Sequence, residues 1–159
     1  MIAWYFATLL VLSAFLFMEF VAWFSHKYVM HGFLWILHKD HHIRDGRKFE
    51  WNDVFAVIFA VPSFLFIYTG WADGFDWKFF IGAGIALYGL AYFIFHDVLV
   101  HSRLPFLSKL SNRYLRATIT AHLEHHKPNA FYNYGFLLAP MRYYKEEWAK
   151  AKKGKLTLK

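Results

Sequence analysis

The chain has 159 residues, 58% hydrophobic and 23% aromatic, with a formal net charge of +7, and a single membrane-embedded domain over residues 1–159 is the expectation. The absence of cysteine excludes disulfides, thiolate-bound haem and cysteine-held iron–sulfur clusters, so any electrons the protein uses come from another protein. The positive charge accompanies no nucleic-acid-binding motif, and the lysine-rich stretch from Lys145 onward reads as a solvated end resting near anionic lipid.

In chain order, residues 2–24 are apolar apart from Glu19 and a few small polar side chains. The stretch has neither a basic leading region nor a small-residue cleavage site, so it is expected to stay attached rather than act as a secretory signal. Residues 54–71 and 79–95 contain no Asp, Glu, Lys, Arg or His. A helix needs about 17–25 residues to cross the hydrocarbon core, so the chain reads as an all-α integral membrane protein with three transmembrane helices. Asn52 and Asp53 precede the second span and read as its cap. Pro62 predicts a kink within that span, and Gly82, Ala86 and Gly89 give the third a strip of small residues for close helix contact. Residues 130–141 are apolar but too short to span, and are expected to lie in the interface or cap a site.

Three spans put segments 25–53 and 96–159 on one side of the membrane, leaving the 72–78 connection and the N-terminus on the other. Of all the lysines and arginines, only Lys78 falls on the short-loop side. Basic residues near spans stay in the cytoplasm, which predicts a cytoplasmic helical cap on an inner-membrane protein whose N-terminus faces out.

That cap holds every histidine. The ten fall into four clusters: His26 and His31; His38, His41 and His42; His96 and His101; His122, His125 and His126. The patterns are H-x4-H, H-x2-H-H, H-x4-H and H-x2-H-H. Imidazole is the commonest metal ligand, and ten donors exceed what one ion uses, so two metal ions are predicted, with zinc, copper, iron and nickel all suited to the donors. On an α-helix the later two histidines of H-x2-H-H flank the first at roughly −60° and +40°, so each triplet shares one face. H-x4-H is different: five α-helical steps turn the rings roughly 140° apart, so a break or wide turn is needed. Gly32 and Pro105, just beyond these pairs, fit helices that lose regularity near the interface.

Four acidic residues stand close by. Asp97 shares a helical face with His101 and is a candidate acceptor for a ligand imidazole, with a solvated carboxylate the alternative. Asp40 and Glu124 turn away from the first histidine of their clusters, which predicts solvent or a basic neighbour. Glu19 lies inside a span, where an ionisable group is a functional candidate; it is too far below His26 to share an ion with it, and a partner in the bundle or a proton route is expected.

The segments MEFVAWFSHKYVMHG (18–32), HKDHH (38–42), WNDVFAVIFA (51–60), GAGIALYGLAYFIFHDVLVHSRLPF (82–106), AHLEHH (121–126) and YGFLLAP (134–140) make the chain resemble the bacterial β-carotene 3-hydroxylases. These belong to the fatty acid hydroxylase superfamily of membrane di-iron enzymes. The resemblance implies that the ten histidines bind two Fe, that O2 is the oxidant, and that ferredoxin with its reductase supplies electrons. It further implies hydroxylation at ring carbon 3 of a carotenoid drawn from the bilayer, from β-carotene to β-cryptoxanthin to zeaxanthin, and leaves canthaxanthin to astaxanthin open. Val98 and Leu123 depart from the family pattern and bear on substrate preference rather than metal binding. The alternatives are a fatty acid or sterol hydroxylase or desaturase with the same centre, or a non-enzymatic membrane metal-binding protein. A transporter would place donors within the spans, and a bis-histidine haem needs only two.

Overall fold

The computed structural model describes residues 2–43, 49–104, 112–128 and 130–152. Among these there are helices and no strands. The chain forms two compact units, Met1–Ala91 and Tyr92–Lys159.

The first unit opens with α1 (Trp4–Phe24), which runs on as a π-helical segment, Ser25–Phe33. Gly32 ends that segment with non-helical backbone angles (φ −102°, ψ −123°), and α2 (Trp35–His42) follows. Next come α3 (Asp53–Ala72) and α4 (Trp77–Tyr92). Three stretches are long and apolar enough to cross a membrane: Trp4–Phe33, Asp53–Ala72 and Trp77–Val100. All three expected spans are present. The first and third extend beyond their apolar stretches because the helix continues through the residues that carry histidine. Large apolar side chains on the spans, such as Phe17, Leu65 and Leu90, are exposed, as a lipid-facing surface requires.

Lipid tails are as apolar as leucine, so close backbone approach at small residues joins these helices. A Cβ added at Gly82 would lie 2.8 Å from Ile67 N and Ser63 O of α3. One added at Gly84 would lie 2.5 Å from Val11 O of α1. The expected strip is therefore wrong in two places: Ala86 and Gly89 are exposed, and Gly84 takes the second contact because α4 serves two neighbours rather than one. α3 runs from Asp53 to Ala72 with Pro62 inside it. The α3–α4 turn uses a left-handed Gly74 (φ 81°), and Asp73 and Asp76 pair with the ammonium of Lys78.

The second unit begins with the π-helical segment Phe93–Val100, followed by α5 (Arg113–His125) and α6 (Met141–Lys152). Asn112 caps α5 by accepting from Leu115 N–H at 2.9 Å. α6 packs on α5 around Ala117, Ala121 and Tyr143, with Tyr114 stacked on Tyr144. Arg116 and Lys150 each approach the buried Glu147 carboxylate to 2.7 Å. Burial raises the Glu147 pKa, but the hydrogen bonds from Lys150 and Arg116 outweigh it and hold it below the usual carboxylate value. The stretch from Lys145 to Lys152 is helical and tied to α5 by the Arg116–Glu147 ion pair, with Lys145 and Lys150 exposed, and residues 153–159 lie outside the described residues. Pro105 also lies outside them.

Candidate metal centre

The H-x4-H pairs become neighbours because both sit in π-helix. There the backbone bond runs from residue i to i+5, so five residues make roughly one turn and rings five apart share a face. His101 N–H donates to His96 O at 3.0 Å, and Leu34 N–H to Val29 O at 3.0 Å, both across five residues. The ring centroids are 4.5 Å apart for His96 and His101, and 5.0 Å for His26 and His31. The wide turn demanded by spacing is present as π-helix at both pairs, and at the first the backbone loses regularity at Gly32, just past His31.

In the first unit, α2 returns against the π segment. One ring nitrogen from each of His26, His31, His38 and His42 lies within 4.8 Å of the others. His38 Nε2 is 3.1 Å from His26 Nε2 and 3.2 Å from His42 Nε2. His41 is buried beside them, its ring centroid 5.4 Å from that of His38. In the second unit, His96, His101, His122 and His126 meet the same 4.8 Å criterion, with His122 and His126 Nε2 atoms 2.9 Å apart. His125 is buried with its centroid 5.8 Å from that of His122. Segment 130–140 covers this group as expected: Phe136 packs on His96 and His122, while Tyr92 stacks on His96 at 4.7 Å.

Hydrogen-bond partners fix which nitrogen is available. His38 Nδ1 lies 2.6 Å from Asn52 Oδ1, His41 Nδ1 lies 2.8 Å from Glu50 Oε2, and His125 Nδ1 lies 2.7 Å from the Tyr132 carbonyl. Each partner oxygen only accepts, so Nδ1 carries the proton and the neutral ring presents its lone pair at Nε2. Burial pushes the His125 pKa down, against an upward pull from the Tyr132 carbonyl, so the ring favours the neutral form that binds metal. Separations of 2.9–3.2 Å between Nε2 atoms match two donors at about 2.0–2.1 Å from one metal ion, set roughly at right angles. The donor set fits first-row metal ions suited to imidazole, and each four-histidine group suffices for one.

The acidic residues near the histidines mostly find partners within the fold. Asp97 is buried, as a role beside the ligands would require: Oδ2 is 3.7 Å from His96 Nδ1, and Oδ1 pairs with Arg103 Nε at 3.2 Å. Asp40 is buried and accepts from Trp51 N–H at 2.7 Å, because the chain beyond α2 folds back over it. Glu124 has the basic neighbour expected of it, Arg142 at 3.7 Å, and also accepts from Tyr143 OH. Glu19 finds a partner within the bundle, accepting from Tyr88 OH at 2.7 Å. Asn52 does not cap α3; its oxygen goes to His38, while Asp53 accepts from Glu50 N–H at 3.0 Å. Glu50 and Asn52 were the residues hardest to find from sequence, since only their position opposite α2 reveals them.

Buried imidazole groups of this kind, carried on a helical protein with three potential spans, define a membrane-embedded metal-binding protein as the class. The chain belongs to the fatty acid hydroxylase family, whose model, described as "Fatty acid hydroxylase", matches residues 11–142. It is similar to the "Beta-carotene hydroxylase" of Pantoea ananas, with 41% identity over 140 residues that cover 86% of this chain and 79% of the relative. The "Beta-carotene hydroxylase" of Pseudescherichia vulneris is 41% identical over 75% of this chain and 67% of its own length. The "Beta-carotene 3-hydroxylase 2, chloroplastic" of Arabidopsis thaliana is 39% identical over 77% of this chain and 42% of its own length. No solved structure matches the chain.

Proposed function

We propose that the protein is a carotenoid hydroxylase that inserts one oxygen atom of O2 at carbon 3 of β-ionone rings, converting β-carotene to β-cryptoxanthin and then zeaxanthin. Two groups of four converging imidazoles, in a chain similar along most of its length to proteins named β-carotene hydroxylase, carry this reading. His26, His31, His38 and His42 would hold one iron ion and His96, His101, His122 and His126 a second, with His41 and His125 supplying further donors. Bound iron supplies the two-electron activation of O2 that a C–H bond requires. The protein's own part is to hold neutral imidazoles with Nε2 lone pairs inward and to keep bulk water from them by burial. A carotene is hydrocarbon and stays in the bilayer, so a site on membrane helices receives the ring laterally without carrying it through water. The concentration of Lys and Arg on the histidine side supports a cytoplasmic-membrane location with the site facing the cytoplasm, and suits docking of an acidic electron carrier of the ferredoxin type.

Expression in bacteria that accumulate β-carotene, followed by pigment chromatography, tests the reading. Zeaxanthin and β-cryptoxanthin are expected with the native chain, and unchanged β-carotene with His125→Ala. Unchanged β-carotene with native protein present and a reductant supplied overturns the assignment.

A further inference from the structure

Three consecutive residues leading into α3 each meet a different residue of α2. Glu50 Oε2 accepts from His41 Nδ1 at 2.8 Å, Trp51 N–H donates to Asp40 Oδ2 at 2.7 Å, and Asn52 Oδ1 accepts from His38 Nδ1 at 2.6 Å. Asp53 Oδ2 then accepts from Glu50 N–H at 3.0 Å and holds the turn together. His38, His41, Asp40 and Asn52 are all buried, so water does not substitute for these bonds at low cost.

We infer that Glu50, Trp51 and Asn52 form a positioning clip for the histidines of α2, built to fix the proton on Nδ1 of His38 and His41 and aim both Nε2 lone pairs before metal arrives. The inference rests on the metal reading above. α2 has only eight residues and no side-chain cap, which is short for a helix to hold its own orientation. The clip provides that orientation from outside the helix. Its two side chains also differ in charge. The Glu50 carboxylate makes His41 a more basic donor, whereas the neutral Asn52 amide orients His38 without adding charge. Asp40 sits between the two histidines in sequence, and its carboxylate holds the clip through the Trp51 backbone N–H, so a change at any of the three bonds reaches the others.

The test uses the full chain, purified in detergent and loaded with iron, in competition with a chelator. Asn52→Leu and Glu50→Ala are expected to lower iron affinity by about 10–100-fold, and Asn52→Asp, which keeps an acceptor oxygen, to stay near the native value. Native affinity in folded Asn52→Leu, or a loss in Asn52→Asp as large as in Asn52→Leu, overturns the clip. Ring nitrogen chemical shifts of the metal-free native protein give an independent answer that needs no variant to fold. His38 and His41 are expected with the proton on Nδ1, and a proton on Nε2 of both overturns the proposal. Native protein that takes up no iron refutes the metal reading, and the shifts still decide whether the clip exists.

Discussion

The two units build the same donor set on different supports. Each joins a π-helical H-x4-H pair to an α-helical H-x2-H-H triplet and brings four ring nitrogens together. In the first unit the triplet rides on a short helix whose imidazoles are fixed by side chains, Asn52 and Glu50. In the second it rides on the longer α5, capped by Asn112 and backed by α6, with a backbone carbonyl on His125 and the rings of Tyr92 and Phe136 against the others. Ring orientation is thus fixed in one unit by polar side chains and in the other by a backbone carbonyl and aromatic packing.

The strongest test of this comparison removes one donor from each unit. His38→Ala and His122→Ala are each expected to abolish carotene hydroxylation while leaving about one iron per chain instead of about two, read by elemental analysis of purified protein. Loss of all iron from either variant would mean that the groups do not bind independently. Next in size is the packing of the first unit. Gly84→Val places a Cβ against Val11 O and should destabilise by about 1–3 kcal/mol, whereas Gly89→Ala, at a position with open space, should leave thermal unfolding in detergent unchanged. The smallest effect concerns the second unit's outer ion pairs. The folded Glu147 pKa is depressed, so its contribution is present above the unfolded value of 4.5 and is lost as pH falls below that value through the folded one. Glu147→Gln should therefore flatten the acid limb of the unfolding curve, and an unaltered limb would remove the α5–α6 pairs from the account.

Much was legible because the periodicities are strong. Apolar runs of spanning length gave the three membrane helices, and H-x2-H-H can only gather its rings on one helical face. The H-x4-H spacing required a wide turn, yet spacing alone does not say whether a break or a π-helix provides it. The errors have a common origin. Judged against its own helix, Asn52 reads as a cap and Asp40 as facing solvent or a basic neighbour, whereas their partners, His38 and Trp51, come from another segment and leave Asp40 buried.

The sequence by itself determined the helices of membrane-spanning length, the absence of thiolate chemistry and the four histidine clusters, since composition and local spacing fix these without reference to distant contacts. Only the tertiary structure decided which histidines converge within each unit, which nitrogen of His38, His41 and His125 faces inward, and which glycine of α4 meets which helix. Those outcomes depend on hydrogen bonds and close contacts between residues far apart in the chain, and a one-dimensional pattern carries no record of who meets whom.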